Sequence, residues 1–175
     1  MGKWVFGYGS LIWRPGFDYM EKRPALLRGA HRQLCIYSFT HRGTEECPGL
    51  VFGLDRGGAC RGMAFEVDPA LWDKTYAYLH AREQQNGVYR ETLRRVALDD
   101  GRYVDALVYL ADPRHKQYAG RLDHDEQLRL VQQGHGQAGP NIEYVVNTHA
   151  HLVEMGIEDH GLDALVQALG PIPSS

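Results

Sequence analysis

The order of its elements makes this chain α+β: strand patterns crowd the first two-thirds of the 175 residues and helical patterns the last third. Two observations carry that reading. The strands arrive in neighbouring runs joined by turn signals, where a parallel βαβ sheet would alternate strand with helix. A 43% hydrophobic content suffices for one sizeable core, and no repeat, low-complexity tract or long linker divides the chain, so one domain over 1–175 is expected. A small, strongly curved or barrel-like sheet with helices at its margins is the natural packing.

The first strand is expected near 3–8. A second extended region runs over about 25–39, broken by Gly29, with alternation clear in Gln33-Leu34-Cys35-Ile36-Tyr37. Residues 43–49, with Pro48, read as a loop. Strands at 50–54 and 61–67 are joined through Asp55-Arg56-Gly57-Gly58, a hairpin signal. Asp68-Pro69 then places Asp at an N-cap and Pro at the first helical position, opening a helix that runs to about Glu83 before Asn86-Gly87 stops it. A second strand pair, 89–98 and 102–110, turns at Asp99-Asp100-Gly101. Helices follow at about 123–133, 141–155 and 162–169.

Composition narrows the function. Net charge is 19 − 22 = −3 with both signs scattered, so no basic stripe suits nucleic acid and no polybasic segment suits a membrane surface. Cys35, Cys47 and Cys60 form no C-x-x-C pair, and glycines and Ser10 interrupt the apolar N-terminal run that a signal peptide needs. No apolar run approaches bilayer-spanning length. A reducing, cytoplasmic setting with free thiols is expected.

Val5-Phe6-Gly7-Tyr8-Gly9-Ser10-Leu11-Ile12-Trp13 is the most informative stretch. A buried strand breaks at two glycines, and such a bend lets backbone N–H groups point outward and a ligand approach the main chain. An ordinary loop after a strand is the plainer alternative. A dinucleotide fingerprint fails, because Ile12 stands where the third glycine belongs and Pro15-Gly16 bars a helix. Ser10 lacks the G-x-S-x-G context of a nucleophile elbow.

Glu83 is the residue with chemical character. Trp72, Tyr76, Leu79 and Glu83 fall within roughly 60° of arc on a helix, so a carboxylate ends an apolar stripe. Against apolar surface its proton affinity rises, which suits a group that takes and returns protons near neutral pH. The competing reading is a structural ion pair with Arg82 or Arg90. His149-x-His151 invites a metal, yet i and i+2 point to different sides of a helix, and no zinc-type spacing is present. No metal is therefore expected. Tyr144 also reads as core with its hydroxyl bonded.

With loop and glutamate in view, the chain closely resembles the ChaC-type γ-glutamylcyclotransferases, which act on glutathione. The resemblance runs from Trp4 to about Leu169. After the nine-residue stretch it continues through His41-Arg42-Gly43, Pro48-Gly49, Gly62-x-Ala64-Phe65, Arg82-Glu83, Gly87-x-Tyr89-Arg90 and Asn141-x-Glu143-Tyr144. Asp112-Pro113-Arg114-His115 and the region 159–165 are similar to bacterial members. The resemblance implies a small mixed β-barrel with flanking helices and no cofactor. It also implies that Val5, Phe6, Gly7, Tyr8, Gly9, Ser10 and Leu11 hold the γ-glutamyl group, with Glu83 as proton acceptor and Arg42 and Tyr144 as substrate contacts. Gln84-Gln85-Asn86-Gly87-Val88 departs from the compact Lys-Gly-Gly of some members, which bears on substrate fit. The implied partner is a small molecule, glutathione or a related γ-glutamyl peptide. Two rivals stand beside glutathione cleavage: a cyclotransferase for other γ-glutamyl peptides or amines, and a non-catalytic ligand-binding regulator of cation transport.

Overall fold

A computed structural model describes residues 2–83 and 87–171. Five strands, β1 (Lys3–Gly7), β2 (Glu21–Ser38), β3 (Gly49–Val67), β4 (Tyr89–Leu98) and β5 (Tyr103–Ala111), close a barrel in the order β1-β3-β2-β4-β5. The barrel is mixed, because β1 is antiparallel to β3 (Val5 opposite Phe65) and parallel to β5 (Val5 opposite Leu107). Asp68 caps a 3₁₀ turn, Pro69–Leu71, by accepting the Ala70 N–H, and α1 (Trp72–Glu83) follows. The C-terminal part holds α2 (His124–Gln133), a short ribbon of β6 (His135–Gly136) and β7 (Gly139–Pro140), α3 (Asn141–Glu154) and α4 (His160–Leu169). Asp123 and Asp159 cap α2 and α4, each accepting a backbone N–H three residues on.

The structure departs from the local reading at two places. Residues 50–67 do not fold back at Gly57-Gly58 but continue as the single 19-residue β3. Both glycines have positive φ (97° and 70°), so the same conformational freedom that marks a hairpin turn here accommodates an irregularity within a strand. Long-range pairing decides it: residues 63–67 are held by β1, and His31 Nδ1 of β2 lies 2.9 Å from the Gly57 carbonyl oxygen. Gly29 likewise sits inside β2 with φ of 89° and does not break it. The β6–β7 ribbon carries no two-strand signal in the sequence beyond Gly139 and Pro140.

The chain divides into two compact units, Met1–Gln33 with Gly53–His115, and Leu34–Phe52 with Lys116–Ser175. In the first, α1 covers a cluster of Val5, Leu11, Val67, Leu79, Leu107 and Tyr109, with Phe17, Trp72, Tyr76 and Tyr89 packed around it. Burying such side chains supplies about 1.5–3 kcal/mol each relative to exposure. In the second, α2, α3 and α4 pack on one another, and the wholly buried Asn141 both donates to the Leu50 carbonyl and accepts the Leu50 N–H, at 2.8 Å each.

Candidate active site

The bend after β1 is shaped by close approach. A Cβ on Gly7 would lie 2.9 Å from that of Leu11, and one on Gly62 would lie 2.2 Å from the Gly7 carbonyl oxygen, so neither position admits a side chain without movement. Gly9 differs: a Cβ there would meet no described atom within 4 Å. The main chain is crowded at Gly7 and open at Gly9. Two short bonds, Ile12 N–H to Gly9 O at 3.0 Å and Arg14 N–H to Ser10 O at 2.8 Å, close the turn itself.

Two arginines hold this bend: Arg32, which no motif or spacing singles out, and Arg82, which stands in the Arg82-Glu83 motif but reads there only as an ion-pair partner of Glu83. The buried Arg32 donates through Nε to the Tyr8 carbonyl at 2.6 Å and through Nη2 to the Arg61 carbonyl at 2.7 Å. Arg82 donates from Nη2 to Ser10 Oγ (2.7 Å) and from Nη1 to the carbonyls of Arg14 (2.8 Å) and Pro15 (3.2 Å) and to the Tyr78 hydroxyl (3.1 Å). A planar fork satisfies several acceptors at once, which an ammonium cannot reproduce. Arg82 therefore ties the loop to the last turn of α1.

Glu83 is the next residue. The stripe anticipated from spacing is present: Leu79 is fully buried against Val5 and Leu11, Trp72 and Tyr76 flank the same cluster, and Glu83 ends the row with its side chain 16% exposed. Burial pushes its carboxyl pKa above the ordinary range, while Arg82 pulls the other way. The rival reading, an ion pair, is present only as a 3.8 Å approach of Arg82 Nε. Arg90 interacts with Asp112 instead. Residues 84–86 of the segment that departs from the family pattern lie outside the described residues.

The predicted loop residues are thus together, but they present different groups. The side chains of Val5, Phe6 and Leu11 are core, so what they offer a ligand is main chain. Tyr8 is also buried, Gly9 half-buried and Ser10 exposed. Arg42 and Tyr144 belong to the second unit and meet there. The Arg42 guanidinium lies 5.6 Å from the Tyr144 ring centroid and donates to the Pro140 carbonyl at 3.0 Å. The Tyr144 hydroxyl accepts the Phe52 N–H at 2.9 Å, so the alternative of a bonded hydroxyl holds for it. His149 pairs with Asp163 at 2.7 Å between α3 and α4, and no metal-binding cluster exists among the described residues.

A family model described as ChaC-like protein matches residues 3–171. The glutathione-specific gamma-glutamylcyclotransferase of Escherichia coli (strain K12) is 34% identical over 163 residues, covering 93% of this chain and 71% of that protein. The Homo sapiens glutathione-specific gamma-glutamylcyclotransferase 1 is 32% identical, covering 95% of this chain and 78% of its own length. A crystal structure of a gamma-glutamyl cyclotransferase specific to glutathione from yeast matches with a TM-score of 0.83 at 25% identity, over 97% of this chain and 98% of that one.

Proposed function

We propose that this chain, which belongs to the ChaC-like protein family, is a lyase that cleaves glutathione to 5-oxoproline and Cys-Gly. The observation that carries the mechanism is a buried carboxylate of raised proton affinity at the end of α1, next to the arginine that holds the bend. A γ-glutamyl group contains its own nucleophile. Its α-amine attacks the γ-carbonyl carbon, a C–N bond closes the five-membered lactam, and the amide C–N bond to cysteine breaks. No water is consumed. Because attack is intramolecular, folding the glutamyl chain so that nitrogen meets carbon is the main task, and such orientation offsets roughly 7–11 kcal/mol in favourable cases.

Proton traffic falls to Glu83. The α-ammonium must lose a proton before nitrogen attacks, and Glu83 accepts it and returns it to the departing nitrogen. The second proton that the attacking nitrogen sheds as the lactam forms follows the same route, so Cys-Gly leaves with its amine as an ammonium. Main-chain N–H groups around Gly9, Ser10 and Leu11 face the oxyanion, and Tyr8 and Ser10 hold the glutamyl head. Arg42 and Tyr144 contact the remainder of the substrate. Since Cys-Gly leaves as a thiol and Cys35, Cys47 and Cys60 form no disulfide among the described residues, a reducing cytoplasmic setting suits the reaction.

Glu83→Gln keeps shape and removes the base, so it is expected to fold and bind while turnover falls by about 10²–10⁴. Mass analysis of 5-oxoproline and Cys-Gly from reduced glutathione, with chelator present, measures this. Normal product from Glu83→Gln removes the carboxylate from the mechanism. Faster turnover of γ-glutamyl-alanine than of glutathione moves the substrate to other γ-glutamyl peptides.

A further inference from the structure

Tyr109 carries a polar group that the fold leaves unused. It is 2% exposed, packed among Val5, Leu11 and Leu79, and its hydroxyl is buried without a hydrogen-bond partner among the described residues. Buried hydroxyls are ordinarily bonded, because losing water without a replacement costs stability. The surrounding groups are already engaged: the Tyr76 hydroxyl donates to Glu91, which lies opposite Tyr109 across β4 and β5. The parallel register of β1 on β5 sets Val5 beside Leu107, two residues before Tyr109 on the same strand, and Val5 and Leu11, either side of the bend, share the tyrosine's cluster. Burial, and after it the charges of Glu91 and Glu83, push the phenol's pKa up, so it stays a neutral O–H donor.

We propose that Tyr109 is a further catalytic residue whose hydroxyl donates a hydrogen bond to the γ-carbonyl oxygen as it becomes an oxyanion; this rests on the cyclotransferase reading above. The position selects among substrate oxygens. A permanent carboxylate beside Glu83 would be repelled by it. The γ-carbonyl gains negative charge only after Glu83 has taken the ammonium proton, so the two charges are never both present in full. A fixed donor aimed at such charge acts chiefly in the transition state.

Tyr109→Phe removes the O–H and keeps the ring. Expected is a loss of about 10²–10³-fold in kcat, with KM within about threefold of wild type and a melting temperature equal to or above it. Tyr76→Phe, which deletes a neighbouring hydroxyl that already has its partner, should keep turnover within about threefold. Turnover of Tyr109→Phe within about threefold of wild type overturns the proposal, as does a loss confined to KM, a parallel fall in melting temperature, or an equal loss in Tyr76→Phe. Wild type and Glu83→Gln run in the same assay: an active wild type with an equally active Tyr109→Phe rejects the tyrosine alone. A wild type that forms no 5-oxoproline rejects the cyclotransferase reading and the tyrosine with it.

Discussion

Two places in the first unit set arginine beside carboxylate with opposite results. Near the surface, Glu21 accepts from Arg23 Nε at 2.7 Å and from Arg102 Nη2 at 2.8 Å, while Asp100 accepts the Arg102 backbone N–H at 3.1 Å and its Nε at 2.8 Å. Both acids are held below their ordinary pKa, Glu21 by the Arg23 hydrogen bond first and Asp100 by the Arg102 N–H first. At the end of α1 the neighbouring guanidinium is turned away, engaged by Ser10, two carbonyls and Tyr78, and reaches Glu83 only at 3.8 Å. There desolvation wins and the pKa rises. Proximity of unlike charges does not set proton affinity; hydrogen-bond geometry against burial does. A structural ion pair and a proton shuttle are thus told apart by where the arginine points.

The largest expected effect is the loss of turnover in Glu83→Gln, and the pH profile sharpens it. If Glu83 must be ionised to accept a proton, kcat/KM falls as pH drops through its raised pKa, above the range of an ordinary carboxylate. An acid limb inside the ordinary carboxylate range would break the contrast with Glu21. Smaller, and below that of Tyr109→Phe, is the effect of Arg82→Lys, which retains charge but cannot span Ser10, Arg14 O, Pro15 O and Tyr78 together. A loosened loop is expected to cost about 10–10² in kcat/KM without unfolding the barrel, measured by steady-state kinetics beside a thermal melt. Unchanged kinetics would mean that the fork does not position the loop.

How much of this was legible beforehand follows the range of each interaction. The stripe ending on Glu83 and the cap at Asp68 are a local periodicity and a short side-chain bond, and they stand where spacing puts them. The barrel class followed from the order of elements. Gly57-Gly58 misled because two positive-φ glycines serve a turn and a strand irregularity equally well, and only β1 pairing with 63–67 decides between them. Arg32, Arg82 and Tyr109 were invisible as site residues for the same reason. Each acts across 24 to 72 residues of chain, or through a hydroxyl whose lack of a partner exists only once the neighbours are assembled.

The smallest effects test whether the two carboxylates differ in sign. Glu21 has a lowered pKa in the fold, so its stabilisation is present above its unfolded pKa and lost as pH falls through the folded value. Glu21→Gln should keep full turnover and lower the melting temperature by about 1–2 °C at neutral pH, a difference that high salt removes. Glu83 behaves inversely. Its raised pKa means the fold is favoured while the group is protonated, and that contribution is lost as pH rises through the folded value. Glu83→Gln should therefore melt above wild type at pH 7, the gap closing as pH drops toward the ordinary carboxylate range, because a site kept ready to take a proton is strained by holding charge away from water. Melting curves of both variants against pH check this. If the two differences moved with pH in the same direction, the carboxylate at the end of α1 would be one more ion pair.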